Sequence, residues 1–387
     1  MKKQLIEKMM LEAITLAKQA LNKTLPNPRV GAVIFDDDGN IKGAGYHKCF
    51  GLAHAEIEAI NDAMSKGHNI RGCNICVTLE PCNHQGKTPP CTNAIIEAGL
   101  KAIYIGVKDD CPGVSGCGME HLLSQGLKLE CGILEDECRA LNPGFNKFNR
   151  SGLPFLQIKS AISLNGKING LCSTKNDNKW FTGPEAREYV HELRACSDLI
   201  ITGLGTIKLD DPKLNVRSGQ KIIGSLGSVV PSLASNVAIL DPKLELIDKY
   251  ISGSLNVAKA GNRVFIVCDS KINLENTPYY KELKSAKISL IRTDLNSVGL
   301  IDLKILLKKL AHDYGFREIF VEAGGKLTSS FLMLGADYID RFTLFIAPVW
   351  FNKESKSLLE NSTFPDMKIK KTKLLGNTIC LQMSSKL

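Results

Sequence analysis

The chain has 387 residues, of which 44% are hydrophobic and 23% are charged. These values are close to globular averages, so they exclude a disordered, collagen-like or coiled-coil chain, and the length predicts about two or three domains. A total of 49 Lys and Arg against 40 Asp and Glu gives a formal net charge of +9, spread along the chain. Such an excess suits anionic small molecules and nucleic acids alike.

Apolar runs and cysteines indicate the compartment. No apolar run approaches the roughly 20 residues that cross a bilayer. The start Met1-Lys2-Lys3 is not followed by the apolar segment of a signal peptide. Thirteen cysteines, an odd number, are then typical of reduced thiols. The sequence therefore predicts a cytoplasmic protein.

The first part of the chain alternates predicted helices with predicted strands, which indicates a layered α/β domain. Apolar spacing and turn residues predict helix 5–21, strand 30–35, strand 41–46, helix 53–65, strand 75–78, helix 92–98 and strand 102–107. Proline and glycine around a basic stretch predict a domain boundary within 142–154.

The alternation restarts after this boundary and predicts a second α/β domain. Its strands are predicted at 155–163, 199–202, 264–268, 288–292, 318–321 and 341–346, and its helices at 184–194, 301–312 and 326–334. Residues 218–262 are rich in Ser and Gly and show no clear period, so we expect a long surface insertion there.

One histidine, two cysteines and a glutamate are spaced like the residues of a catalytic zinc centre. His54 and Glu56 open a predicted helix, and Cys82 and Cys91 follow the next predicted strand. Zinc held by His54, Cys82 and Cys91 would keep its fourth position for water, which is typical of catalytic sites. The metal lowers the pKa of that water, and we expect Glu56 to carry its proton to the leaving ammonia.

This order matches the zinc deaminase signature, in which HxE precedes a PC pair and a later cysteine. The common form has two residues between the cysteines, whereas eight, 83–90, separate them here. A structural site of four cysteines, Cys73, Cys76, Cys82 and Cys91, is the alternative. We favour the catalytic centre because Cys73 and Cys76 bracket the start of a strand, where both thiols would point poorly at one metal.

The longer loop identifies a family. Residues 77–91 read VTLEPCNHQGKTPPC and closely resemble the pyrimidine deaminase domain of the bifunctional riboflavin-biosynthesis deaminase/reductase. Three shorter segments resemble the same family in the same order: 27–31, 43–47 and 54–56. The resemblance implies that three further residues contact the substrate of the deaminase: Asn27, His47 and Lys87.

The second half lacks the GxGxxG fingerprint of a Rossmann dinucleotide site, since only the fragment 203–205 follows a predicted strand. It contains two arginines, Arg194 and Arg217, that could clamp a phosphate. Gly324 and Gly325 precede a predicted helix, where backbone amides could approach a pyrophosphate.

This half resembles the reductase part of the same family, whose fold is similar to dihydrofolate reductase and whose cofactor is NADPH. The resemblance implies cofactor contacts at Ala161, Trp180, Thr206, Asp210, Ser270, Gly324, Gly325, Lys326, Leu327, Thr328, Ser329 and Ser330. It implies substrate contacts at Asn178, Arg194, Leu214, Arg217 and Glu322. The family usually has Asp where Asn165 stands and Ser where Asn178 stands.

Together these observations predict an α/β protein with two domains. A cytidine-deaminase-like α/β/α domain is expected over 1–148, and a dihydrofolate-reductase-like α/β domain over 149–387. The expected function is zinc-dependent deamination of 2,5-diamino-6-ribosylamino-4(3H)-pyrimidinone 5′-phosphate, then NADPH-dependent reduction of the ribosyl side chain to ribityl. We expect a homo-oligomer that acts on this small molecule and binds neither nucleic acid nor membrane.

Two other functions remain as alternatives. A nucleic-acid base deaminase with a C-terminal binding module would need a basic surface studded with aromatic residues. Aromatic residues make up only 6% of this chain, which disfavours that function. The second alternative is a non-enzymatic protein with a structural zinc site.

Overall fold

The computed structural model describes residues 2–84, 89–111, 115–168, 181–217, 220–221, 229–230, 234–273, 279–285, 288–358 and 366–385. The chain divides into two compact units, which we call the first unit, Met1–Gly152, and the second unit, Leu153–Leu387. Within the described ranges, no helix is long and apolar enough to cross a membrane.

The first unit alternates helices and strands. Its elements are α1 (Lys2–Lys18), β1 (Gly31–Phe35), β2 (Ile41–Tyr46), α2 (Ala55–Ser65), β3 (Asn74–Leu79), α3 (Cys91–Glu97), β4 (Ala102–Val107), α4 (Cys117–Ser124), β5 (Lys128–Cys131), α5 (Glu135–Arg139) and α6 (Pro143–Ser151). The helices and strands predicted up to residue 107 are confirmed. Helix α6 occupies most of the stretch in which the sequence predicts a domain boundary.

The described strands of the first unit form one sheet in the order β2-β1-β3-β4-β5. Strand β1 is antiparallel to β2 and β3, whereas β3, β4 and β5 run parallel. Alternate residues of β1 enter two cores: Val33 and Phe35 pack with α1, and Ala32 and Ile34 pack with α2 and α3. The sheet is therefore covered on both faces, which confirms the α/β/α architecture.

Helix α2 lies very close to β2. A Cβ atom on Gly45 would come within 2.5 Å of the Ala59 backbone nitrogen, so only glycine permits this approach. The close packing sets the position of the N-terminus of α2, where His54 is the capping residue.

The second unit also alternates helices and strands. Its elements are β6 (Phe155–Ser163), α7 (Pro184–Ala195), β7 (Leu199–Gly203), α8 (Leu204–Asp210), β8 (Gln220–Lys221), β9 (Val229–Val230), β10 (Asn236–Leu240), α9 (Ile247–Ile251), α10 (Asn256–Lys259), β11 (Arg263–Asp269), α11 (Tyr279–Ser285), β12 (Ser289–Thr293), α12 (Leu303–His312), β13 (Glu318–Glu322), α13 (Gly325–Leu332), β14 (Arg341–Ala347), β15 (Lys368–Leu375) and β16 (Thr378–Ser384).

The described strands of the second unit, apart from the pair β8-β9, form one sheet in the order β12-β11-β10-β7-β13-β6-β14-β16-β15. The strands from β12 to β14 run parallel, and β16 and β15 add an antiparallel hairpin at one edge. Two hydrophobic cores cover the two faces, one containing α7 and the other α12 and α13. The predicted α/β class is confirmed.

The expected surface insertion over 218–262 is wrong for its second half. Strand β10 lies between β7 and β11 in the middle of the sheet, and Val237 to Leu240 are buried. A parallel strand buried on both faces is a short continuous apolar run, so it has no alternating pattern to reveal it. The hairpin of β15 and β16 was not predicted either. Three of its exposed positions are lysines, at 368, 370 and 371, so its pattern resembles a surface loop.

Candidate active sites

His54, Cys82 and Cys91 come together at one end of the first sheet. His54 caps α2, Cys82 follows β3, and Cys91 is the first residue of α3. Their potential ligand atoms all lie within 4.8 Å of one another. Among the described residues, no other group of three or more His, Cys, Asp or Glu side chains lies close enough together to hold a metal ion. The Nδ1 atom of His54 lies 3.6 Å from the Cys82 Sγ and 3.3 Å from the Cys91 Sγ.

These distances fit a zinc ion. Tetrahedral zinc with Zn–S bonds of about 2.3 Å and Zn–N bonds of about 2.0 Å holds its nitrogen and sulfur ligands about 3.5 Å apart. The electrostatics also fit, because hydrogen bonds from Cys91 and His54 hold the pKa of Cys82 well below its usual range. The hydrogen bond with Cys82, together with burial, raises the pKa of Cys91. The cluster thus already stabilises one thiolate.

The alternative site of four cysteines does not form. The Cys76 Sγ contacts the carbonyl oxygen of Ile6 in the core beneath α1, at 3.7 Å. Cys73 belongs to the core on the opposite face of the sheet. The two thiols therefore lie on opposite faces, and neither joins the cluster around His54.

Glu56 lies in the first turn of α2 and is only 3% exposed. Burial raises the pKa of Glu56 to about 7. Its side chain also contacts Cys91 by a hydrogen bond. A buried carboxyl group beside the cluster, and not itself part of it, is placed to exchange protons with a bound ligand.

Asn27 and His47 lie next to the same cluster. The Nδ2 atom of Asn27 is 3.5 Å from the His47 Nε2, and the His47 Nδ1 is 3.0 Å from the carbonyl oxygen of Ala53. The rings of His47 and His54 meet edge to face with centroids 5.3 Å apart. Burial lowers the pKa of His47, which keeps its ring neutral. Lys87 lies outside the described residues.

Glu80, which the sequence patterns did not single out, anchors the loop that carries Cys82. Its carboxylate is 4% exposed and accepts four backbone N–H groups, from Asp109 at 3.2 Å, Gly116 at 3.0 Å, Gly118 at 3.1 Å and Met119 at 3.2 Å. The two residues between β3 and Cys82 are thereby tied to the N-terminus of α4. An acidic residue directly after a mostly apolar strand is a sequence signal for such a buried, fully bonded carboxylate.

In the second unit, several candidate cofactor residues lie where parallel strands end. Ala161 is near the end of β6, Thr206 and Asp210 belong to α8 directly after β7, and Ser270 follows β11. Open α/β sheets bind ligands at the carboxyl ends of their strands. The Ser270 hydroxyl donates to Asp294 at 2.7 Å.

The turn from β13 into α13 contains the remaining candidate cofactor residues, Gly324 to Ser330. A Cβ atom on Gly324 would meet nothing within 4 Å, so this turn faces open space. Within the described part of the chain no side chain caps the helix, which leaves its first N–H groups available to an anion such as a pyrophosphate. The hydroxyl groups of Thr328 and Ser330 instead donate to backbone carbonyls of their own segment, at 3.3 and 3.0 Å. The backbone of the turn therefore fits the phosphates of NADPH.

Arg194 and Glu322 form a two-pronged ion pair between α7 and β13. The Arg194 Nε and Nη2 atoms lie 2.5 and 2.9 Å from the two carboxylate oxygens, and both side chains are about one-tenth exposed. Burial tends to raise the pKa of Glu322, but Arg194 and Lys159 outweigh it and hold that pKa below its ordinary value. Lys159 pairs in register with Glu322 across β6 and β13. Burial lowers the pKa of Lys159 although Glu322 opposes this effect.

Arg217 and Leu214 lie in the segment after α8. Leu214 is buried, whereas Arg217 is exposed and donates from its Nη2 to the Nε2 of His191 on α7, at 3.0 Å. The sequence patterns did not single out His191, although a histidine among the apolar residues that α7 buries is a visible signal. Asn178 and Trp180 lie outside the described residues.

Comparisons with known proteins agree with both sites. A family model described as cytidine and deoxycytidylate deaminase zinc-binding region matches residues 3–107, and the RibD C-terminal domain model matches residues 154–381. The second match identifies the C-terminal half as the reductase domain of RibD. It therefore excludes the alternative in which this half is a nucleic-acid binding module.

Full-length relatives point the same way. The riboflavin biosynthesis protein RibD of Aquifex aeolicus (strain VF5) is 36% identical over 87% of this chain and 85% of the relative. The protein of that name from Escherichia coli (strain K12) is 32% identical over 97% and 98%. A solved diaminohydroxyphosphoribosylaminopyrimidine deaminase/5-amino-6-(5-phosphoribosylamino)uracil reductase of Thermotoga maritima superposes with a TM-score of 0.80, at 32% identity and 99% coverage of both chains. The chain therefore belongs to the RibD family of riboflavin-biosynthesis enzymes, which combine a zinc-dependent deaminase with an NADPH-dependent reductase.

Proposed function

We propose that this chain deaminates 2,5-diamino-6-ribosylamino-4(3H)-pyrimidinone 5′-phosphate and then reduces the ribosyl side chain of the product to ribityl. The observation that carries the proposal is the cluster of His54, Cys82 and Cys91 with the buried Glu56 beside it. The Thermotoga maritima relative is named for the same pair of activities, a deaminase and a reductase.

The deamination step is assigned to residues 1–148. His54, Cys82 and Cys91 hold zinc, which when bound lowers the pKa of a water molecule for attack on the ring carbon that bears the amino group. Glu56 accepts a proton and delivers it to the departing amine. Asn27, His47 and Lys87 hold the pyrimidine, and the neutral ring of His47 supports a hydrogen-bonding role over a charged one.

The reductase step is assigned to residues 149–387. NADPH, when bound, supplies the hydride for C1′ of the ring-opened sugar. Its contacts are Ala161, Trp180, Thr206, Asp210, Ser270 and the turn from Gly324 through Gly325, Lys326, Leu327, Thr328 and Ser329 to Ser330. The substrate contacts are Asn178, Arg194, Leu214, Arg217 and Glu322.

The two arginines of the reductase site differ in how their positive charge is balanced. Arg194 is engaged with Glu322 through two of its nitrogens, so its positive charge is largely balanced within the protein. Arg217 is exposed and carries no such carboxylate partner in the ion pairs of the described residues. We therefore assign the substrate phosphate chiefly to Arg217.

The remaining expectations concern the setting of the enzyme. We propose that it works in the cytoplasm as a homo-oligomer and acts on a small molecule, with neither nucleic acid nor membrane as partner. Chromatography of the products formed from the diaminopyrimidinone phosphate, with and without NADPH, tests the whole proposal. We expect the deaminated ribosyl compound without NADPH and the ribityl compound with it; unchanged substrate in both samples contradicts the proposal.

Substitutions at the metal cluster separate metal binding from proton transfer. His54→Ala, Cys82→Ser and Cys91→Ser should lose both zinc and deamination, whereas Glu56→Gln should keep zinc and lose turnover. Metal content by atomic spectroscopy and ammonia release measure the two effects. Cys76→Ser is the matched control, because this buried cysteine of the first unit lies away from the cluster. Zinc retained in H54A but lost in C76S would refute the assignment.

A further inference from the structure

His191 connects the buried face of α7 to an exposed arginine. His191 is only 4% exposed, and its Nε2 lies 3.0 Å from the Nη2 of Arg217. A guanidinium group can only donate hydrogen bonds, so the histidine nitrogen must be the acceptor. The proton of the neutral ring is then on Nδ1.

The surroundings of His191 keep it in this accepting form. Burial and the positive charges of Arg194 and Arg217 lower the pKa of His191 to about 4, against a weaker opposite effect of Glu322. The ring is therefore neutral at pH 7 and presents a lone pair to Arg217. Arg194 lies one turn further along α7 and is occupied by Glu322, so it does not compete for this acceptor.

We infer that His191 is a positioning residue that orients the Arg217 guanidinium towards the anionic group of the reductase substrate. The inference rests on the proposed function, in which Arg217 contacts that substrate. His191 itself touches Arg217 rather than substrate. A long arginine side chain on the surface loses rotational freedom when it binds a ligand, and a buried acceptor that restrains it beforehand reduces this loss.

The test compares two substitutions at His191. His191→Leu removes the acceptor, whereas the side-chain oxygen of His191→Gln can take the place of Nε2. With the deaminated ribosyl phosphate and NADPH, we expect H191L to raise KM about tenfold with kcat within about twofold. H191Q should keep KM within about threefold of the wild-type value.

Tyr189→Phe is the matched control on the same helix. Tyr189 is also buried, and its hydroxyl accepts a hydrogen bond from Gln382 rather than from an arginine. Loss of that bond should leave KM unchanged. If H191L does not fold, His191→Met provides a second side chain of similar bulk that cannot accept from Arg217. Equal KM values in the wild type and the non-accepting variant would overturn the inference, and so would equal impairment in H191Q and the non-accepting variant.

Arg217→Ala separates this inference from the proposed function. If R217A leaves KM unchanged, Arg217 does not bind substrate, and the proposed role of Arg217 fails. If R217A raises KM but H191L does not, only the positioning role of His191 fails. If both raise KM and H191L has no further effect in the R217A background, the two residues act as one unit, as we infer.

Discussion

At the scale of single residues, Asn165 shows how this chain accommodates a departure from the pattern of its family. Its Nδ2 donates to the Phe351 carbonyl oxygen at 2.8 Å, and its Oδ1 accepts from the Phe351 N–H at 3.2 Å and from the Ser163 hydroxyl at 2.7 Å. The side chain therefore pairs with the Phe351 backbone as another strand would. This pairing uses both the donor and the acceptor of an amide.

Asn165→Asp should weaken the fold more than the chemistry. The carboxylate would keep the bond from the Phe351 N–H but face the Phe351 carbonyl without a donor, at a cost of about 1–3 kcal/mol in unfolding free energy. The rate of NADPH oxidation should change less than about tenfold, or about 1.4 kcal/mol in barrier. Urea unfolding and steady-state kinetics measure the two effects.

Asn296→Asp is the matched control, because among the described residues the Asn296 side chain bonds through its Oδ1 alone, as acceptor for the Val298 and Leu300 N–H groups. The account would be contradicted if the wild-type protein bound NADPH without oxidising it and the N165D variant did oxidise it. That result would place the chemistry at residue 165.

His191 should make the stability of the second unit depend on pH. Its folded pKa of about 4 lies below the ordinary value of about 6.5, because burial, Arg194 and Arg217 outweigh Glu322. The unfolded chain therefore binds a proton first, and stability falls as pH falls from about 6.5 towards 4, by roughly 1–3 kcal/mol. His191→Gln should flatten this part of the curve in urea unfolding. Superimposable curves for wild type and H191Q would refute the prediction.

At the scale of elements, one carboxylate organises the metal loop of the first unit. Glu80 follows β3, and the N–H groups that it accepts belong to the segment after β4 and to the start of α4. Gly118 allows this approach, since a Cβ atom there would lie 2.1 Å from the Pro81 carbonyl oxygen. The orientation of Cys82 thus depends on three elements and not on its own loop alone.

Glu80→Gln should weaken zinc binding without touching a ligand. A glutamine amide turns its NH2 group towards two of the four backbone donors, so part of the anchor becomes repulsive. Outer groups that orient metal ligands typically contribute 10–100-fold in affinity, and we expect a loss in this range by competition with a chromophoric chelator. Glu135→Gln, at an exposed glutamate of α5, should bind zinc like the wild type. Unchanged affinity in E80Q would show that Cys82 is oriented independently of Glu80.

At the scale of the whole molecule, the two activities belong to two separate compact units. All three proposed zinc ligands lie in the first unit, and Arg194 and Glu322 lie in the second. Groups in separate units contribute almost independently to stability and function. Damage to one site should therefore spare the other.

Removal of zinc should separate the two reactions. A chelator should abolish deamination of the diaminopyrimidinone phosphate, whereas NADPH oxidation with the deaminated compound should stay within about twofold. Added Zn²⁺ should restore deamination, which serves as the control. Arg194→Ala should do the reverse, lowering reduction and sparing deamination. Equal loss of both activities in either experiment would contradict the separation of the two sites.

The parts of the fold that the sequence predicted are those with strong local patterns. The strands from β1 to β4 are short runs that lie between clear turn and helix signals, and helix α12 has a helical period, so a short window reveals them. Strand β10 lies instead within the Ser- and Gly-rich stretch 218–262, and its alternate residues enter the cores on both faces of the sheet, so no alternation marks it. Its assignment to the sheet depends on partners that lie more than 20 residues away along the chain.

The sequence by itself identified the candidate metal donors, because His54, Cys82 and Cys91 stand in short motifs whose spacing limits the chemistry. The position of Cys73 and Cys76 at the start of a strand predicts that they point poorly at one metal, and the tertiary structure places them on opposite faces of the sheet, away from this cluster. The tertiary structure also decided that four backbone N–H groups meet Glu80 and that His191 meets Arg217. The physical reason is that hydrogen bonds between distant segments depend on how helices pack against the sheets, and no local pattern in the chain records that packing.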